Sequence, residues 1–167
     1  MYYSASNHTQ NLAFAIADGA RSDPRATVRC LSVSEADYKT DVLDWADVIV
    51  IGSPVHNANI AAPLKAWLDG WDYVHDDLSN KSGGVFATGG HLFGGIENTL
   101  NSLQSYFHIF GVQVWVGEQA FQPNFPLGVG AATGDPPFNS SVPGRVDPIF
   151  LDAGKLYGKR LVQLRNS

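Results

Sequence analysis

Short apolar runs alternate along this chain with segments whose apolar residues recur at helical spacing. The runs that fit strands cover residues 27–31, 48–52, 84–87 and 112–116. Such alternation is typical of proteins in which parallel strands form one sheet and helices cover both of its faces. The pattern therefore predicts an α/β fold.

The segments between the runs carry apolar stripes with the spacing of helices that pack on a sheet. The first helix is predicted over residues 12–20, and the last one begins after Pro148, a residue suited to a helix start. The stripes of the later helices are Leu64, Trp67 and Leu68; Ile96, Leu100, Leu103, Phe107 and Phe110; and Phe150, Ala153, Tyr157, Leu161 and Leu164. We expect each of these helices to lie against the sheet.

Two regions depart from this regular alternation. Residues 117–147 are rich in Gly and Pro and longer than an ordinary connection, which is typical of a functional or mobile loop. At the start, only Met1, Tyr2 and Tyr3 precede a polar loop, so the first strand is expected to be very short. A short inner strand leaves its neighbours' backbone groups without partners, so either this stub suffices or the natural chain begins upstream of Met1.

Composition narrows the class of protein. The 167 residues are 44% hydrophobic and 16% charged, which fits one globular domain over residues 1–167. The formal charge is -5 and no Lys/Arg run occurs, so the sequence lacks the electrostatic footprint of a nucleic-acid-binding protein. Apolar segments stay well short of the roughly 20 residues that cross a bilayer, and the first residues lack the character of a signal peptide. We therefore expect a cytoplasmic protein without membrane insertion.

Three polar or Gly-bearing stretches lie where a strand would lead into a helix, at residues 3–10, 52–59 and 86–91. The first is crowded with hydroxyls and precedes a helix, whose N-terminal N–H groups and dipole favour a phosphate. The other two follow apolar strands and contain small residues that let the backbone approach a flat ring. Together the three loops predict a site for flavin mononucleotide (FMN).

Each of these signals also has a purely structural interpretation. A Ser/Thr/Asn cluster before a helix is often only an N-cap, and His56 and His91 are also consistent with ordinary surface histidines. Trp67 is expected to pack between a helix and the sheet, and Cys30 to be a small buried hydrophobe. The spacing of the acidic residues and histidines suggests no metal site.

Several spaced motifs resemble one family in their order along the chain. The stretch 46–59 with its continuation to residue 69 resembles the flavodoxin-like fold, and especially the tryptophan-repressor-binding-protein (WrbA-like) NAD(P)H:quinone oxidoreductases. Residues 87–90, 94–100 and 128–134 look like the third flavin loop and the late Gly-rich loop of that family. The resemblance implies a doubly wound three-layer sandwich with a five-stranded parallel sheet, and it implies FMN as the cofactor.

The resemblance also implies which residues hold the flavin. The residues that fall on the phosphate loop are Ser4, Ser6, Asn7, His8 and Thr9. Those on the loop along the isoalloxazine edge are Pro54, Val55, His56, Asn57 and Asn59. Those on the loop that faces the pyrimidine side are Thr88, Gly89, Gly90 and His91. No side chain is expected to act as a catalytic group, because the reactive atom is N5 of the flavin.

The chain departs from the family pattern at three places. Asn7 stands where the phosphate loop usually carries Gly, and Asn tolerates positive φ better than most residues. His56, Asn57 and Ala58 replace the usual Arg-Phe-Gly, so an aromatic neighbour of the ring and a flexible Gly are both missing. Phe110 replaces a histidine that the quinone reductases carry, so the quinone pocket is expected to differ.

The leading hypothesis is an FMN-dependent oxidoreductase that passes two electrons from NAD(P)H to a quinone or similar acceptor. Because the chain has no separate dinucleotide fingerprint, both substrates would use the same face of the ring in turn. The alternatives are a flavodoxin-type carrier of single electrons between proteins and a flavodoxin-fold binding protein that has lost its flavin. The resemblance further implies a homo-oligomer, either a dimer or a tetramer.

Overall fold

The structure is a computed structural model that describes residues 1–35, 42–72, 77–116, 126–140 and 142–165. Helices and strands alternate along the described residues, as the sequence predicts. In chain order they are α1 His8–Arg21, α2 Val42–Trp45, β1 Val48–His56, β2 Asn59–Ile60, α3 Ala62–Leu68, β3 Ser82–Gly89, α4 Ile96–Ile109, β4 Gln113–Val114, β5 Val129–Ala132 and α5 Pro148–Arg165. Among the described helices, none combines the length and apolar character needed to cross a membrane.

A mostly parallel sheet of five strands is the centre of the molecule. β1 and β3 run parallel from the pair Val48 and Ser82 to the pair Pro54 and Thr88. β4 and β5 add to the far edge of β3 in parallel, and β2 adds to the end of β1 in antiparallel orientation. Every residue of β3 is buried, as expected for an inner strand. The predicted α/β fold is confirmed, although one of the five strands is antiparallel.

Helices cover both faces of the sheet. Neighbouring residues of a strand point to opposite faces of the sheet. The contacts of Gly83 and Gly84 in β3 therefore show which helix lies on each face. A Cβ atom added at Gly83 would lie 3.0 Å from Phe107 of α4, whereas one added at Gly84 would lie 2.8 Å from the hydroxyl of Tyr157 in α5. α4 and α5 therefore lie on opposite faces, which confirms the predicted three-layer arrangement.

The last parallel strand is divided into two pieces, β4 and β5. β4 pairs with the start of β3 and β5 with its end, and the gap falls at Gly84 and Val85. A strand was predicted at residues 112–116, but residues 128–134 were predicted as a Gly-rich loop, and that prediction is wrong for β5. The residues of β5, Val-Gly-Ala-Ala, are buried by the helices that cover them. They are mostly small, so the sequence lacks the bulky apolar side chains from which a strand is usually predicted.

The hydroxyl of Tyr157 bridges the gap in this divided strand. It accepts a hydrogen bond from the backbone nitrogen of Val85 at 3.3 Å and donates one to the carbonyl oxygen of Trp115 at 2.6 Å. The nitrogen of Trp115 still donates to Gly83 at 2.8 Å, so β4 leaves the ladder only at that point. Because both backbone groups keep a partner, the strand can leave the sheet without buried unsatisfied groups there.

The start of the sheet is less complete than the sequence predicts. Tyr2 forms isolated parallel bridges with Ser32 on one side and Gly52 on the other, so it does lie inside the sheet as expected. Residues 27–31 do not form the predicted strand. The apolar pattern of that segment is real, but a strand needs a neighbour along its length, and Tyr2 supplies only one position.

α1 and α5 pack against each other through glycines. A Cβ atom added at Gly19 would lie 1.8 Å from the carbonyl oxygen of Lys155, and one added at Gly158 would lie 1.9 Å from that of Ile16. Such distances show that the two helix backbones touch directly. Only glycine fits at these two positions, and α1 is thereby fixed to the C-terminal helix.

Candidate cofactor site

The three predicted loops meet at one edge of the sheet, where β1 and β3 end side by side. Pro54 pairs with Thr88 at these ends, and the hydroxyl of Thr88 forms a hydrogen bond of 2.8 Å with that of Thr9 in α1. The rings of Tyr3 and His56 lie edge to face with their centres 6.3 Å apart. The structure therefore brings together segments that lie far apart in the sequence, as predicted.

The N-terminus of α1 presents two open backbone donors. Asn7 precedes the helix with φ of 67°, and its side chain forms no capping hydrogen bond. The hydroxyl of Ser4 accepts the N–H of Gln10 at 3.3 Å, but the N–H groups of His8 and Thr9 have no partner among the described residues. Ser4 therefore caps one donor of the first turn, as the structural interpretation expects, but the two foremost donors stay open.

His8 is part of this loop but brings no charge to it. The hydroxyl of Ser6 and Nδ1 of His8 form a hydrogen bond of 2.8 Å. Burial lowers the pKa of His8, because the charged imidazolium loses water on leaving solvent. The loop therefore offers neutral hydrogen-bond groups together with the positive end of a helix dipole.

Gly144, a residue that sequence reasoning did not single out, completes the wall of the phosphate loop. The side-chain nitrogen of Asn11 donates to the carbonyl oxygen of Gly144 at 2.7 Å. A Cβ atom added at Gly144, which has φ of 76°, would lie 2.9 Å from the Cβ of Asn7. Gly144 belongs to the long Gly/Pro-rich stretch, and only its contact with Asn7 and Asn11 reveals a role beside the loop.

The second predicted loop is a tight hairpin, which corrects the expectation of an open loop between β1 and α3. Val55 pairs with Ile60 and His56 with Asn59, which leaves Asn57 and Ala58 as the two turn residues. Both have positive φ, 50° and 62°, as in the hairpin turns that favour Asn followed by Gly. Ala58 thus occupies a conformation that suits glycine.

The tip of this hairpin is held against the loop that follows β3. The side-chain nitrogen of Asn98 donates to the carbonyl oxygen of Ala58 at 2.8 Å. Gly95, with φ of 110°, lies so close that an added Cβ would be 2.5 Å from the Cα of Ala58. His56, Asn57 and Asn59 are exposed on this hairpin. The hairpin therefore presents polar groups on a fixed support.

The loop after β3 is joined to the loop after β5 by a set of contacts that we call the loop clamp, formed by residues 89–92 and 133–135. The backbone nitrogens of Thr133 and Gly134 donate to the carbonyl oxygens of Gly89 and Gly90 at 2.9 and 2.8 Å. The carboxylate of Asp135 accepts hydrogen bonds from Nδ1 of His91 at 2.5 Å and from the nitrogen of Leu92 at 2.9 Å. The sequence indicated His91 as a site residue but did not indicate its partner Asp135.

The loop clamp contains a charged carboxylate at Asp135 and open space at Gly90. The hydrogen bond from His91, together with that from Leu92, lowers the pKa of Asp135, so this carboxyl is ionised at neutral pH. A Cβ atom added at Gly90 would meet nothing within 4 Å, so this backbone faces open space. Phe93, three residues later in the chain, is fully exposed. The backbone at Gly90 therefore leaves room for a flat group.

These features fit FMN. The open donors at the start of α1 and the hydroxyls of Ser4 and Ser6 suit a phosphate, and the uncovered backbone at Gly90 suits a ring. Thr9 and Thr88 differ from the expectation, because their buried hydroxyls already bond to each other and serve to tie α1 to β3. Within the described part of the chain, no three His, Cys, Asp or Glu side chains are grouped as metal ligands.

Comparison with known proteins agrees with this geometry. The family model of NADPH-dependent FMN reductases matches residues 9–125. The chain is 34% identical over 134 residues to an NAD(P)H dehydrogenase (quinone) of Paracoccus denitrificans, a match that spans 68% of this chain and only 64% of that relative. It is 32% identical over 145 residues to a flavodoxin of Aquifex aeolicus, covering 82% of this chain and 74% of that protein.

Solved structures show the same fold at lower identity. A flavodoxin, WrbA-like protein from Agrobacterium tumefaciens superposes with a TM-score of 0.72 at 22% identity and covers 99% of this chain and 94% of its own. Flavodoxin 1 from Bacillus cereus also superposes with a TM-score of 0.72, at 15% identity, over 97% of this chain and 94% of its own. The chain therefore belongs to the NADPH-dependent FMN reductase family, has the flavodoxin-like fold, and has FMN as its indicated cofactor.

Proposed function

We propose that this protein is an FMN-dependent oxidoreductase that passes two electrons from NAD(P)H to a quinone or a similar acceptor. The proposal rests on one observation. The open backbone donors at the N-terminus of α1, the β1–β2 hairpin and the loop clamp lie together at one edge of the sheet. The likeness to an NAD(P)H dehydrogenase (quinone) supports the choice of donor and acceptor.

The residues of the phosphate loop would bind and orient the cofactor. Ser4, Ser6 and Asn7 with the N–H groups of His8 and Thr9 would hold the phosphate, and no cation is needed because the helix dipole is favourable. This end of the molecule then sets where the rest of the ligand lies. Thr9 would act through its backbone nitrogen and through the support that its hydroxyl gives to Thr88.

The other two loops would surround the ring. Pro54, Val55 and the exposed polar groups of the hairpin would lie along one edge, and Thr88, Gly89, Gly90 and His91 along the pyrimidine side. When bound, FMN supplies the hydride and electron transfer chemistry, and the protein contributes position and electrostatics. In this proposal nicotinamide and acceptor use one face alternately, which predicts double-displacement kinetics.

A single-electron carrier is the second candidate, favoured by the likeness to flavodoxins. Such carriers tend to be strongly acidic around the flavin. The charge of -5 over the whole chain is modest, which supports the enzyme. Reduction by NAD(P)H without a protein partner separates the two functions, because a carrier does not oxidise nicotinamide itself.

The test begins with titration of FMN by the purified protein, followed through flavin fluorescence, and then adds NADPH without air. We expect saturable one-to-one quenching and rapid bleaching of the flavin by NADPH. Quenching without bleaching would favour the carrier. Absence of quenching would reject both functions and support a binding protein without flavin.

Ser6→Ala tests the assignment of the phosphate loop. A hydrogen bond to a charged group contributes about 1.5–3 kcal/mol, so we expect FMN affinity to fall by about 10- to 100-fold. Riboflavin, which lacks the phosphate, should bind both proteins alike. Ser105→Ala is the matched control, because that hydroxyl is exposed on α4 and donates to Asn101 within its own helix. Equal loss with riboflavin would contradict a phosphate contact.

A further inference from the structure

Three histidines lie on the loops of the candidate site, and they differ in their partners. Nδ1 of His8 bonds to a hydroxyl, whereas the ring of His56 lies edge to face with an aromatic ring. Nδ1 of His91 instead lies 2.5 Å from Oδ1 of Asp135. A carboxylate in this position can orient an imidazole and stabilise its protonated form, as in sites where a histidine transfers protons.

The charge of Asp135 fixes which ring nitrogen of His91 carries the proton. The hydrogen bond from His91, with a second one from the N–H of Leu92 at 2.9 Å, lowers the pKa of this carboxyl, so it is ionised at neutral pH. An ionised carboxylate only accepts hydrogen bonds, so Nδ1 of His91 is the donor. Nε2 is then left to take up a proton or to give one away, and with 73% of its side chain exposed the ring can exchange protons with water.

The carboxylate of Asp135 is held in place by the sheet. The two residues before it, Thr133 and Gly134, donate to carbonyl oxygens of the loop after β3 at 2.9 and 2.8 Å, directly after the last pairs of β5 with β3. A Cβ atom added at Gly134 would lie 2.7 Å from the carbonyl oxygen of Gly90, so the two loops are in close contact. The sheet therefore positions Asp135, and Asp135 in turn positions the ring of His91.

The reaction proposed above needs a proton that the nicotinamide does not supply. Reduction of a quinone to a quinol takes two electrons and two protons. The hydride of NAD(P)H brings both electrons and one proton, so each turnover requires one further proton from a side chain or from water. A positioned acid accelerates such a transfer by about 100- to 10,000-fold, and histidine is the side chain most often used.

We propose that His91 is the catalytic acid for the acceptor and that Asp135 is its positioning residue, an inference that rests on the proposed function. His91 directly follows Gly90, whose backbone leaves room for a flat molecule. The Nε2–H bond breaks as an O–H bond forms on the quinone oxygen, and the ring becomes neutral with its Nδ1 proton still bonded to Asp135. Water then returns a proton to Nε2. NAD(P)H supplies both electrons, so the step consumes only one proton from solvent.

The test uses two acceptors, of which only one takes up protons. Wild type, His91→Gln and Asp135→Asn are loaded with FMN, reduced by NADPH without air and mixed rapidly with benzoquinone or with ferricyanide. Benzoquinone takes up electrons and protons, whereas ferricyanide takes up electrons only. Because each protein is reduced beforehand, its reaction with NADPH does not limit the rate. His108→Gln is the matched control, since His108 is exposed in the last turn of α4.

We expect His91→Gln to slow the reaction with benzoquinone by at least about 100-fold. Asp135→Asn should slow it in the same direction, because the amide no longer requires an N–H on Nδ1. Both variants should keep the wild-type rate with ferricyanide, and His108→Gln should match wild type with either acceptor. Equal slowing with both acceptors would overturn the proposal, because it would show a general disturbance of the site.

A second measurement needs neither FMN nor turnover. Nitrogen-15 NMR of the protein without cofactor should show the neutral ring of His91 with its proton on Nδ1, and Asp135→Asn should remove that preference. A neutral wild-type ring with its proton on Nε2 would reject the positioning role of Asp135.

The outcomes for this proposal and for the proposed function are distinguishable. A wild type that does not bind FMN, or that NADPH does not reduce, would reject both. A wild type that is reduced by NADPH but reacts with benzoquinone no faster than His91→Gln does would reject the role of His91 alone.

Discussion

At the scale of single residues, Ala58 is the clearest mismatch between side chain and backbone. Its φ of 62° lies in the left-handed region, which costs an L-residue about 1–2 kcal/mol. Glycine avoids this strain but loses about 0.5–1 kcal/mol more than alanine in chain entropy on folding. We expect Ala58→Gly to raise the free energy of unfolding by about 0.5–1 kcal/mol, measured by urea denaturation. Asn57→Gly should gain less, because Asn tolerates this region. A larger gain at Asn57 would contradict this account of the turn.

Asp135 gives the loop clamp a defined dependence on pH. Its pKa is lowered by the hydrogen bond from His91 and then by that from Leu92. A carboxyl whose pKa is lower in the folded protein stabilises it fully above the unfolded pKa of about 3.9, and this contribution is lost as pH falls through the folded pKa. We expect wild type to exceed Asp135→Asn in urea midpoint at pH 6. The difference should shrink as pH falls below about 3.9 and vanish once pH is below the folded pKa of Asp135.

Asp152→Asn serves as the control for this comparison. Asp152 is an exposed carboxylate on α5 whose nearest charged partner, Lys155, lies 3.8 Å away. Exposed pairs of this kind contribute little to stability. A loss at Asp135→Asn that is the same at every pH would show that the amide disturbs the loop by shape alone.

At the scale of elements, the divided strand depends on one hydroxyl. Tyr157→Phe keeps the ring but leaves the nitrogen of Val85 and the carbonyl oxygen of Trp115 without this partner in a buried place. Such groups cost about 1–3 kcal/mol when left unsatisfied, so we expect that loss of unfolding free energy, with faster amide exchange at Val85.

Tyr106→Phe is the matched control for Tyr157→Phe. The hydroxyl of Tyr106 donates to Asp69 at 2.6 Å on the surface, where water can replace it. We expect a smaller loss in urea denaturation. Equal losses for the two variants would contradict the bridging role of Tyr157.

The elements differ in how far the sequence predicts them, for physical reasons. β1, β3, α4 and α5 were predictable because burial on one or both sides leaves an apolar pattern. β5 was not, because Gly130, Ala131 and Ala132 are buried by close approach and carry no bulky side chains. Residues 27–31 have the pattern of a strand but lack the neighbour that a strand requires.

The features of the candidate site also differ in how far the sequence predicts them. The positions of the phosphate loop and the loop after β3 were predictable, because polar and small residues follow apolar strands. Thr9 and Thr88, which form a hydrogen bond, are 79 residues apart in the chain, and His91 and Asp135 are 44 residues apart. No local pattern specifies such contacts, since only the register of the sheet brings them together.

At the scale of the whole molecule, assembly into a dimer or tetramer stays a prediction. The ring of Trp71 is buried against Trp67 and Phe110 within the chain. Exposed Ile109 and Phe93 are apolar groups that another copy would cover. We expect light scattering to give twice or four times the 18.0 kDa of the chain. A mass of one chain would reject the oligomer.

The contact between α1 and α5 has a consequence for the length of ligand that the site accepts. Gly19 and Gly158 let the two helices touch, so the spacing between them cannot shrink, and any larger side chain would force it to grow. The open donors for a phosphate sit at the end of α1, whereas the ring loops belong to the sheet. The Thr9–Thr88 hydrogen bond ties the same helix to β3. With α1 held by both contacts, the phosphate donors and the ring loops keep one separation before a ligand binds, which favours a ligand whose chain between phosphate and ring matches that separation.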